Sequence, residues 1–557
     1  MHNNELRKTH IGQHVTLRGW VSRRRDLGGL IFVDLRDYHG ITQLTFKPES
    51  ATYKTAQTLK AEYVIEVQGE VVLRESINKD LPTGEIEVIV SDLIILNDAQ
   101  QPPIGVGYAD NALEETRLKY RYLDLRKPEN QHYIIKRHQI TQAIREALLQ
   151  ENFFELETPI LGKSTPEGAR DFLVPSRLYH GSFYALPQSP QLYKQLYMIS
   201  GFERYFQFAK CFRDEDLRAD RQLEFTQVDI ECSFVGVDDI INLSEKMIAH
   251  TFKKVLNIDL ETPFLRLSYK DAIKHYGSDK PDLRYELLLE DATLDNVPFL
   301  DGKVVRKITL KDKNLTRKEI DLLTEEGKKN HLEGLAYLKL DNGQLTGSIR
   351  KFFEKAPINE GELVLYGFGD DYEQVSIGLG AVRRTLAKHF NLMDDNTYSF
   401  LWVVDFPLLE YNEDEARYVA RHHPFTSAKT GLDGDKDELI ANAYDMVLNG
   451  YELGGGSIRI HNAKEQAKMF QLLGMSEQTI KHQFGFLVEA LKYGTPPHGG
   501  IAFGLDRIVM LMTQTNNIRD VIAFPKIQSA RDVMLNAPDK VDSKQLNELG
   551  LLIKTNE

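Results

Sequence analysis

Strict alternation of apolar and polar residues runs through the first hundred positions. Stretches 14–21, 30–35, 41–46, 63–73 and 85–96 each carry it. Leu17, Gly19 and Val21 share one face, as do Ile65, Val67, Val71 and Leu73, and then Ile86, Val88 and Val90. This period predicts five strands, and a polar, helix-like stretch at 51–62 falls between the third and the fourth. Five strands with a helix in that slot is the order of an OB barrel, a frequent single-strand nucleic-acid binder. The pattern lapses over 97–111, where Pro102 and Pro103 predict a link. It returns with a helical period at Ile140, Ala143, Ile144, Ala147 and Leu148, ends near Asn152, and leads through an expected strand at 153–158 into Pro159. Stretches 160–285 and 398–557 mix both periods and predict two halves of one α/β unit. Between them, 285–389 has its own expected strands at 335–340 and 362–366 and a charged helix at 316–329, so it predicts an inserted module.

Composition narrows the class. The chain has 557 residues, 42% hydrophobic and 27% charged, which suits several packed domains and excludes global disorder. No apolar run approaches the ~18–20 residues that span a bilayer. The first ten residues are polar and lack the apolar core of a signal peptide, so a cytoplasmic protein with no membrane partner is expected. Two cysteines, Cys211 and Cys232, exclude a disulfide framework or a four-cysteine zinc site. With 69 basic and 82 acidic residues the net charge is −13, which argues against indiscriminate coating of nucleic acid. The first forty residues run the other way, with seven Lys or Arg against four Asp or Glu. A small basic module on an acidic body suits a structured polyanion gripped at chosen points.

Four segments carry candidate chemistry. Residues 204–234 predict a long antiparallel hairpin with a charged loop at 214–222. On its second arm Thr226, Val228, Ile230, Cys232 and Phe234 form an apolar face, and Phe225, Gln227, Asp229, Glu231 and Ser233 the opposite one. A polar face on a core strand is costly unless it lines a wet or ligand-filled site; the alternative is a surface hairpin laced with salt bridges. Arg213, at the end of the first arm, can donate a bidentate pair to a phosphate. In 498–512, glycines lead a strand into Gly504, Leu505, Asp506 and Arg507, with Arg507 in a first helical turn, where anions are favoured. In 445–459, Asp445 and Glu452 are candidate Mg²⁺ ligands, and Gly454–Gly456 permit close approach of a ligand. Glu452 and Arg459 have opposite parity on a flat strand, so a shared pocket requires a bulge there. A flexible glycine turn with unrelated neighbours is the alternative. In 188–194, Ser189, Gln191 and Lys194 offer two neutral hydrogen-bonding groups and a compact positive charge, and 165–170 has the Pro/Gly character of a mobile lid.

Together these segments resemble a known family. FRDED with FTQVDIE, GLDR and the helix ending at Thr158–Pro159 resemble motifs 2, 3 and 1 of the class II aminoacyl-tRNA synthetases. QSPQLYK, YELGGGSIRIHN and HHPFTS narrow the resemblance to the bacterial-type aspartyl-tRNA synthetases, in the expected order over essentially the whole chain. The resemblance implies a multidomain α+β protein: an OB-fold anticodon-binding barrel at 1–105, a hinge at 106–118, an antiparallel-sheet catalytic domain at 119–284 and 398–557, and an inserted α+β domain at 285–397. It implies a homodimer that uses L-aspartate, ATP and Mg²⁺ to charge tRNA(Asp).

By the same resemblance, Arg213 and Arg507 are catalytic. Arg213, Asp214, Glu215, Gln222, Phe225, Glu452, Gly504, Leu505, Asp506 and Arg507 hold ATP, while Asp445 and Glu452 bind Mg²⁺. Glu167, Ser189, Gln191, Lys194, Arg213, Asp229, His422 and Arg459 bind aspartate, with Lys194 and Arg459 as the clamp on its side-chain carboxylate. Arg25, Leu27, Phe32 and Gln43 read the anticodon, and Arg218 and Arg221 approach the acceptor stem. Thr45 shares a face with Gln43, and the neighbouring aromatic, Phe46, points the other way. Leu27 stands where enzymes that also charge tRNA(Asn) can carry histidine, so leucine implies discrimination. Three other readings are weighed. An asparagine-synthetase-like paralogue would have no reason to keep an anticodon module. An asparaginyl-tRNA synthetase needs a neutral pocket, to which two cations are poorly matched. A non-catalytic RNA-binding paralogue has no need of Arg213, Arg507 or Glu452.

Overall fold

The computed structural model describes residues 1–106, 111–164, 169–294, 296–413 and 415–554. The chain forms two compact units, one from 1–139, 216–223 and 509–557 and the other from 140–215 and 224–508.

In the first unit the expected alternation closes into a barrel. Strands His14–Leu27, Leu30–Asp37, Gly40–Phe46, Val64–Leu73 and Ile86–Asn97 are joined in the order first, second, third, fifth, fourth. Their inward residues form one core, with Leu17, Val21, Val33, Leu35, Leu44, Phe46, Ile65 and Val88 fully buried. The helix expected at 51–62 contracts to Tyr53–Thr58. The first strand runs six residues past Val21, because an irregularity between Val21 and Arg23 lets the charged stretch pair on: Arg23 sits opposite Asp34 and Arg25 opposite Phe32. These side chains never enter the core, so they carry no apolar period to betray the strand.

Two charged groups tie the rest of this unit together. Arg121, 2% exposed, donates to the carbonyls of Arg519, Ile522 and Ala523 and to Asp124, fastening the 509–557 segment to the short helix Arg121–Asp124. Glu62 accepts from Arg36 at 2.8 Å and from Arg126 at 2.8 Å.

The second unit is built on an eight-stranded sheet. Its order is Leu265–Ser268, Phe400–Val404, Ala443–Leu448, Tyr451–Ile458, His498–Gly504, Glu224–Ser233, Arg204–Phe212 and Phe154–Glu155. Strands from 160–285 and from 398–557 thus interleave, as expected of two halves of one unit. The pairing is antiparallel through the middle and parallel only at the two outer pairs. Helix Val237–Leu256 buries Ile240, Ile241, Met247, Ile248 and Phe252. The strand expected at 153–158 shrinks to Phe154–Glu155. Phe234 adopts φ +60° and is 68% exposed, so the apolar face of its strand ends at Cys232.

The inserted stretch carries its own five-stranded sheet, ordered Glu290–Asp291, Val304–Lys311, Glu362–Gly369, Gly334–Asp341 and Gln344–Gly347. Helices Arg317–Lys329 and Tyr372–His389 bury Leu323, Val375, Leu379, Val382 and Leu386 in a core with Ile308 and Leu365. Thr316 caps the first of these helices by accepting from the Glu319 amide.

Arg36 and Glu62 are both nearly inaccessible, so removing the shared carboxylate strands a buried cation. Glu62→Ala is expected to lower unfolding free energy by about 3 kcal/mol, read as a fall in the denaturant midpoint without a change in slope.

Candidate active site

Strand Glu224–Ser233 is central, because its neighbours Arg204–Phe212 and His498–Gly504 pair along both edges, and its polar face is half-buried at Phe225 and Gln227 and buried from Asp229 on. Asp229 and Glu231, two residues apart, therefore project to one side of the sheet with no exposed surface. The facing strand makes room for them: a Cβ at Gly500 would lie 2.0 Å from Glu231 Oε2.

Two cations neutralise the pair. Lys194, from helix Gln191–Ile199, donates to Asp229 Oδ1 at 2.9 Å and lies 3.4 Å from Glu231. Arg459 grips Glu231 through Nε at 3.0 Å and Nη2 at 3.1 Å. All four side chains are at most 2% exposed. Burial raises the Asp229 carboxyl, with Lys194 opposing. Burial also pushes Glu231 upward, but Arg459 and Lys194 outweigh it and hold that group below its ordinary value. Two adjacent carboxyls are thus driven in opposite directions.

Arg459 Nη1 also donates to His423 Nε2 and Ser457 Oγ, each at 2.6 Å. A guanidinium can only donate, so Nε2 accepts from it, while the Phe425 amide donates to Nδ1 at 3.2 Å; two facing donors suit a neutral imidazole. Burial, followed by Arg459, depresses His423 well below the usual range and keeps it so. These bonds use four of the five N–H groups of Arg459 among the described residues, leaving one for a ligand. Asp229 Oδ2 and Gln191 Nε2 are buried with no hydrogen-bond partner, as is Arg213 Nε. Unmet buried polar atoms are candidates for contact with a polar ligand. Arg213 follows strand Arg204–Phe212 and stacks on Phe225, 5.2 Å from its ring centre. Asp214 pairs with Arg170 at 2.7 Å, Glu215 is half-buried, and Ser189 Oγ accepts from the Gln191 amide at 3.3 Å. Glu167 lies outside the described residues.

A second group of charges stands on the neighbouring strands. Asp445 pairs opposite Gly455, and a bulge between Met446 and Val447 sets Val447 against Glu452 while Leu453 is left over. That extra residue reverses the parity, so Glu452 shares a face with Gly455, Ser457 and Arg459. The bulge required by the sequence is therefore present, one residue before the glycines. A Cβ at Gly455 would lie 2.5 Å from Asp445 Oδ1 and 3.5 Å from Glu452 Oε1. The bare glycine lets both carboxylates converge. Burial, then Glu452, pushes the Asp445 carboxyl well above its usual range, as expected for two like charges with no cation between them.

Two carboxylates suit Mg²⁺, which completes its shell with water and substrate phosphates. No cluster of three or more metal-binding side chains occurs among the described residues. Arg507 Nη1 donates to the Glu452 carbonyl, and Asp506 Oδ2 accepts from the Thr226 amide at 2.8 Å, so the turn after strand His498–Gly504 is tied to both neighbouring strands. Leu505 is buried at the start of helix Leu505–Met512, and Gly504 pairs with Gln227. His422, expected to help bind aspartate, lies 3.9 Å from Asp445, with its ring edge-on to Phe406. Burial and then Arg421 lower its pKa to about 4. His423 is the histidine that touches Arg459. The period of two that groups Ser457 with Arg459 was available to find Ser457, and the same period groups Glu231 with Asp229.

The first unit carries Gln222, expected to hold ATP. Its amide exchanges two hydrogen bonds with the Lys526 backbone, at 3.1 and 2.9 Å, and anchors the 216–223 segment. Arg218 is exposed near that segment's tip, and the Arg221 amide donates to its carbonyl. On the barrel, Arg25 donates to Asp34 at 2.8 Å and to Gln43 at 3.2 Å, and Glu87 accepts from Gln43 at 2.7 Å and Thr45 at 2.6 Å. Half-buried Phe32 stands in register between Arg25 and Thr45, while Phe46 is in the core. Leu27, 61% exposed, ends the first strand at the tip of its hairpin.

Comparison with known proteins agrees with this arrangement. Residues 113–528 match the family model described as tRNA synthetases class II (D, K and N), and 15–96 match the OB-fold nucleic acid binding domain. An Aspartate–tRNA ligase of Staphylococcus haemolyticus is 51% identical over 98% of this chain and 97% of its own length. An Aspartate–tRNA(Asp/Asn) ligase of Caldanaerobacter subterraneus subsp. tengcongensis is 50% identical over 99% and 97%. Among solved structures, asparaginyl-tRNA synthetase from Pyrococcus horikoshii with asparaginyl-adenylate shares the fold, with a TM-score of 0.62 and 20% identity over 94% of this chain and 97% of that one. The chain belongs to the aspartate–tRNA ligases, within the class II tRNA synthetases.

Proposed function

We infer that the enzyme activates L-aspartate with ATP and transfers it to the 3′-terminal adenosine of tRNA(Asp). The observation that carries this reading is the buried quartet of Lys194, Asp229, Glu231 and Arg459, flanked by Arg213 and by unpartnered buried polar atoms.

In the first step an oxygen of the substrate's α-carboxylate attacks the α-phosphorus of ATP. The bond to the β-phosphate oxygen breaks, and pyrophosphate leaves with the electron pair. Arg213 meets the α-phosphate and the attacking carboxylate, Phe225 stacks on adenine beneath it, and Arg507 grips the γ-phosphate. Fixed guanidinium groups stabilise charge as it develops, with no covalent protein intermediate. Asp445 and Glu452 would hold Mg²⁺, which when bound neutralises phosphate charge. Lys194 and Arg459 clamp the substrate's side-chain carboxylate, Asp229, Ser189 and Gln191 complete the pocket, and Glu167 meets the ammonium. In the second step a terminal ribose hydroxyl attacks the aspartyl carbonyl, and AMP leaves.

Arg25, Phe32 and Gln43 bind the anticodon, where stacking on one aromatic contributes ~1–3 kcal/mol. Arg218 and Arg221 approach the acceptor stem. Leu27, exposed at its hairpin tip, favours strict choice of tRNA(Asp) over tRNA(Asn). Exposed Phe154, Ile160, Leu161 and Phe202 suit a homodimer contact around 154–161. No helix among the described residues is long and apolar enough to cross a membrane, in keeping with work in the cytoplasm on tRNA. An asparaginyl enzyme remains the poorer reading, since an amide cannot match two buried cations.

ATP–pyrophosphate exchange, offered aspartate, asparagine, glutamate and lysine separately, is expected with aspartate alone. Charging is then expected with tRNA(Asp) and not with tRNA(Asn). Exchange with asparagine instead would overturn the clamp, and no exchange with any of the four would leave an RNA-binding paralogue. Gly455→Ala should force Asp445 and Glu452 apart and weaken Mn²⁺ binding in the presence of ATP by about tenfold, measured by electron paramagnetic resonance. Unchanged Mn²⁺ affinity would remove the carboxylate pair from the metal site.

A further inference from the structure

Next in the chain to the histidine near Asp445 stands a cation that the proposed reaction does not use. Arg421 immediately precedes His422, whose ring lies 3.9 Å from Asp445. The Arg421 guanidinium lies over the ring of Tyr269, 4.4 Å from its centre, and donates through Nη2 to the Tyr269 hydroxyl at 2.7 Å and through Nη1 to Glu410 at 3.2 Å. The hydroxyl in turn donates its one proton to Glu373 Oε1. Tyr269 is only 4% exposed, and burial followed by the Glu373 bond raises its phenol, so it stays a neutral donor.

These three residues come from three parts of the second unit. Glu373 lies in the first turn of helix Tyr372–His389, whose other face packs in the inserted module's core. Tyr269 opens helix Tyr269–Tyr276, which Ser268 caps from the end of a sheet strand by accepting from Asp271. Arg421 leads into His422 and His423. One phenol therefore bridges a carboxylate of the inserted module to the segment that carries the histidine beside Asp445. Lys194 and Arg459, by contrast, are held by Asp229 and Glu231 of the sheet itself.

We propose that Glu373, Tyr269 and Arg421 form a positioning relay through which the inserted module holds the His422–Asp445 corner of the site and sets its affinity for ATP with its metal, but not for aspartate. The proposal rests on the function inferred above. Groups behind a metal ligand commonly change its affinity by about tenfold or more when removed, and this relay acts at that remove.

The test uses the full chain with Tyr269→Phe, which keeps the ring and its stacking, and with Glu373→Ala and Glu373→Gln. In aspartate-dependent exchange, Tyr269→Phe and Glu373→Ala should each raise the KM for ATP by about tenfold while the KM for aspartate and the melting temperature stay near wild type. Mn²⁺ affinity in the presence of ATP should fall in parallel. Glu373→Gln keeps an acceptor for the hydroxyl and should behave as wild type. Unchanged KM for ATP and unchanged Mn²⁺ affinity in Tyr269→Phe would overturn the relay. So would equal loss for both substrates, or a Glu373→Gln as impaired as Glu373→Ala. If the wild-type enzyme showed no exchange with aspartate, the inferred function would fail while the Mn²⁺ comparison would still decide the relay.

Discussion

Lys194, Asp229, Glu231 and Arg459 meet inside an eight-stranded sheet with almost no exposed surface. Burying one charge without a partner costs several kcal/mol, and breaking a buried pair typically costs about 3–5 kcal/mol. The arrangement is tolerable because it contains two charges of each sign and because Ser457 and His423 take further donors of Arg459. Much of the second unit follows from this constraint. The carboxylate strand must be central, its neighbour must carry glycines where Glu231 projects, and the helix bearing Lys194 must end near it. In the proposed function the quartet supplies selectivity, because an amide is a poor match for a carboxylate between two buried cations.

The carboxylates at the adjoining corner follow different logic. Asp445 and Glu452 face each other over Gly455 with like charge, an unfavourable pairing that a bound divalent cation reverses. Arg507 joins this corner to the turn after strand His498–Gly504, so the residues meant for phosphate and for metal are braced on one backbone. The inserted module reaches the same corner through Tyr269. On the proposed reading, substrate selection is built into the sheet, while nucleotide and metal binding depend on loops and on a module outside it.

Much of this was legible in the chain. Period-two alternation pointed to the barrel, because its inner residues are mostly apolar, Thr42 being a buried exception, and the same period on 224–233 separated Val228 and Ile230 from Asp229 and Glu231. Positions where polar residues carry the structure were not legible. The charged end of the first strand has no apolar period, and the 51–62 helix is too polar to extend beyond Tyr53–Thr58. The hydrogen bonds of the Gln222 amide to the Lys526 backbone had no signal in the chain. The roles of His422 and His423 could not be separated, because adjacent residues project in different directions and only the fold shows which one meets Arg459. The bulge at Leu453 was demanded by parity but could be located only by the observed register.

The claim on which the account turns is that a buried cation, not the fold alone, selects aspartate. The ratio of kcat/KM for aspartate over asparagine in ATP–pyrophosphate exchange, compared between wild type and Lys194→Met, tests it most directly. Loss of a desolvated charge contact predicts a fall in that ratio of about a hundredfold, with the melting temperature recorded to separate selectivity from stability. An unchanged ratio in a folded Lys194→Met enzyme would contradict the account and remove Lys194 from the selection of substrate.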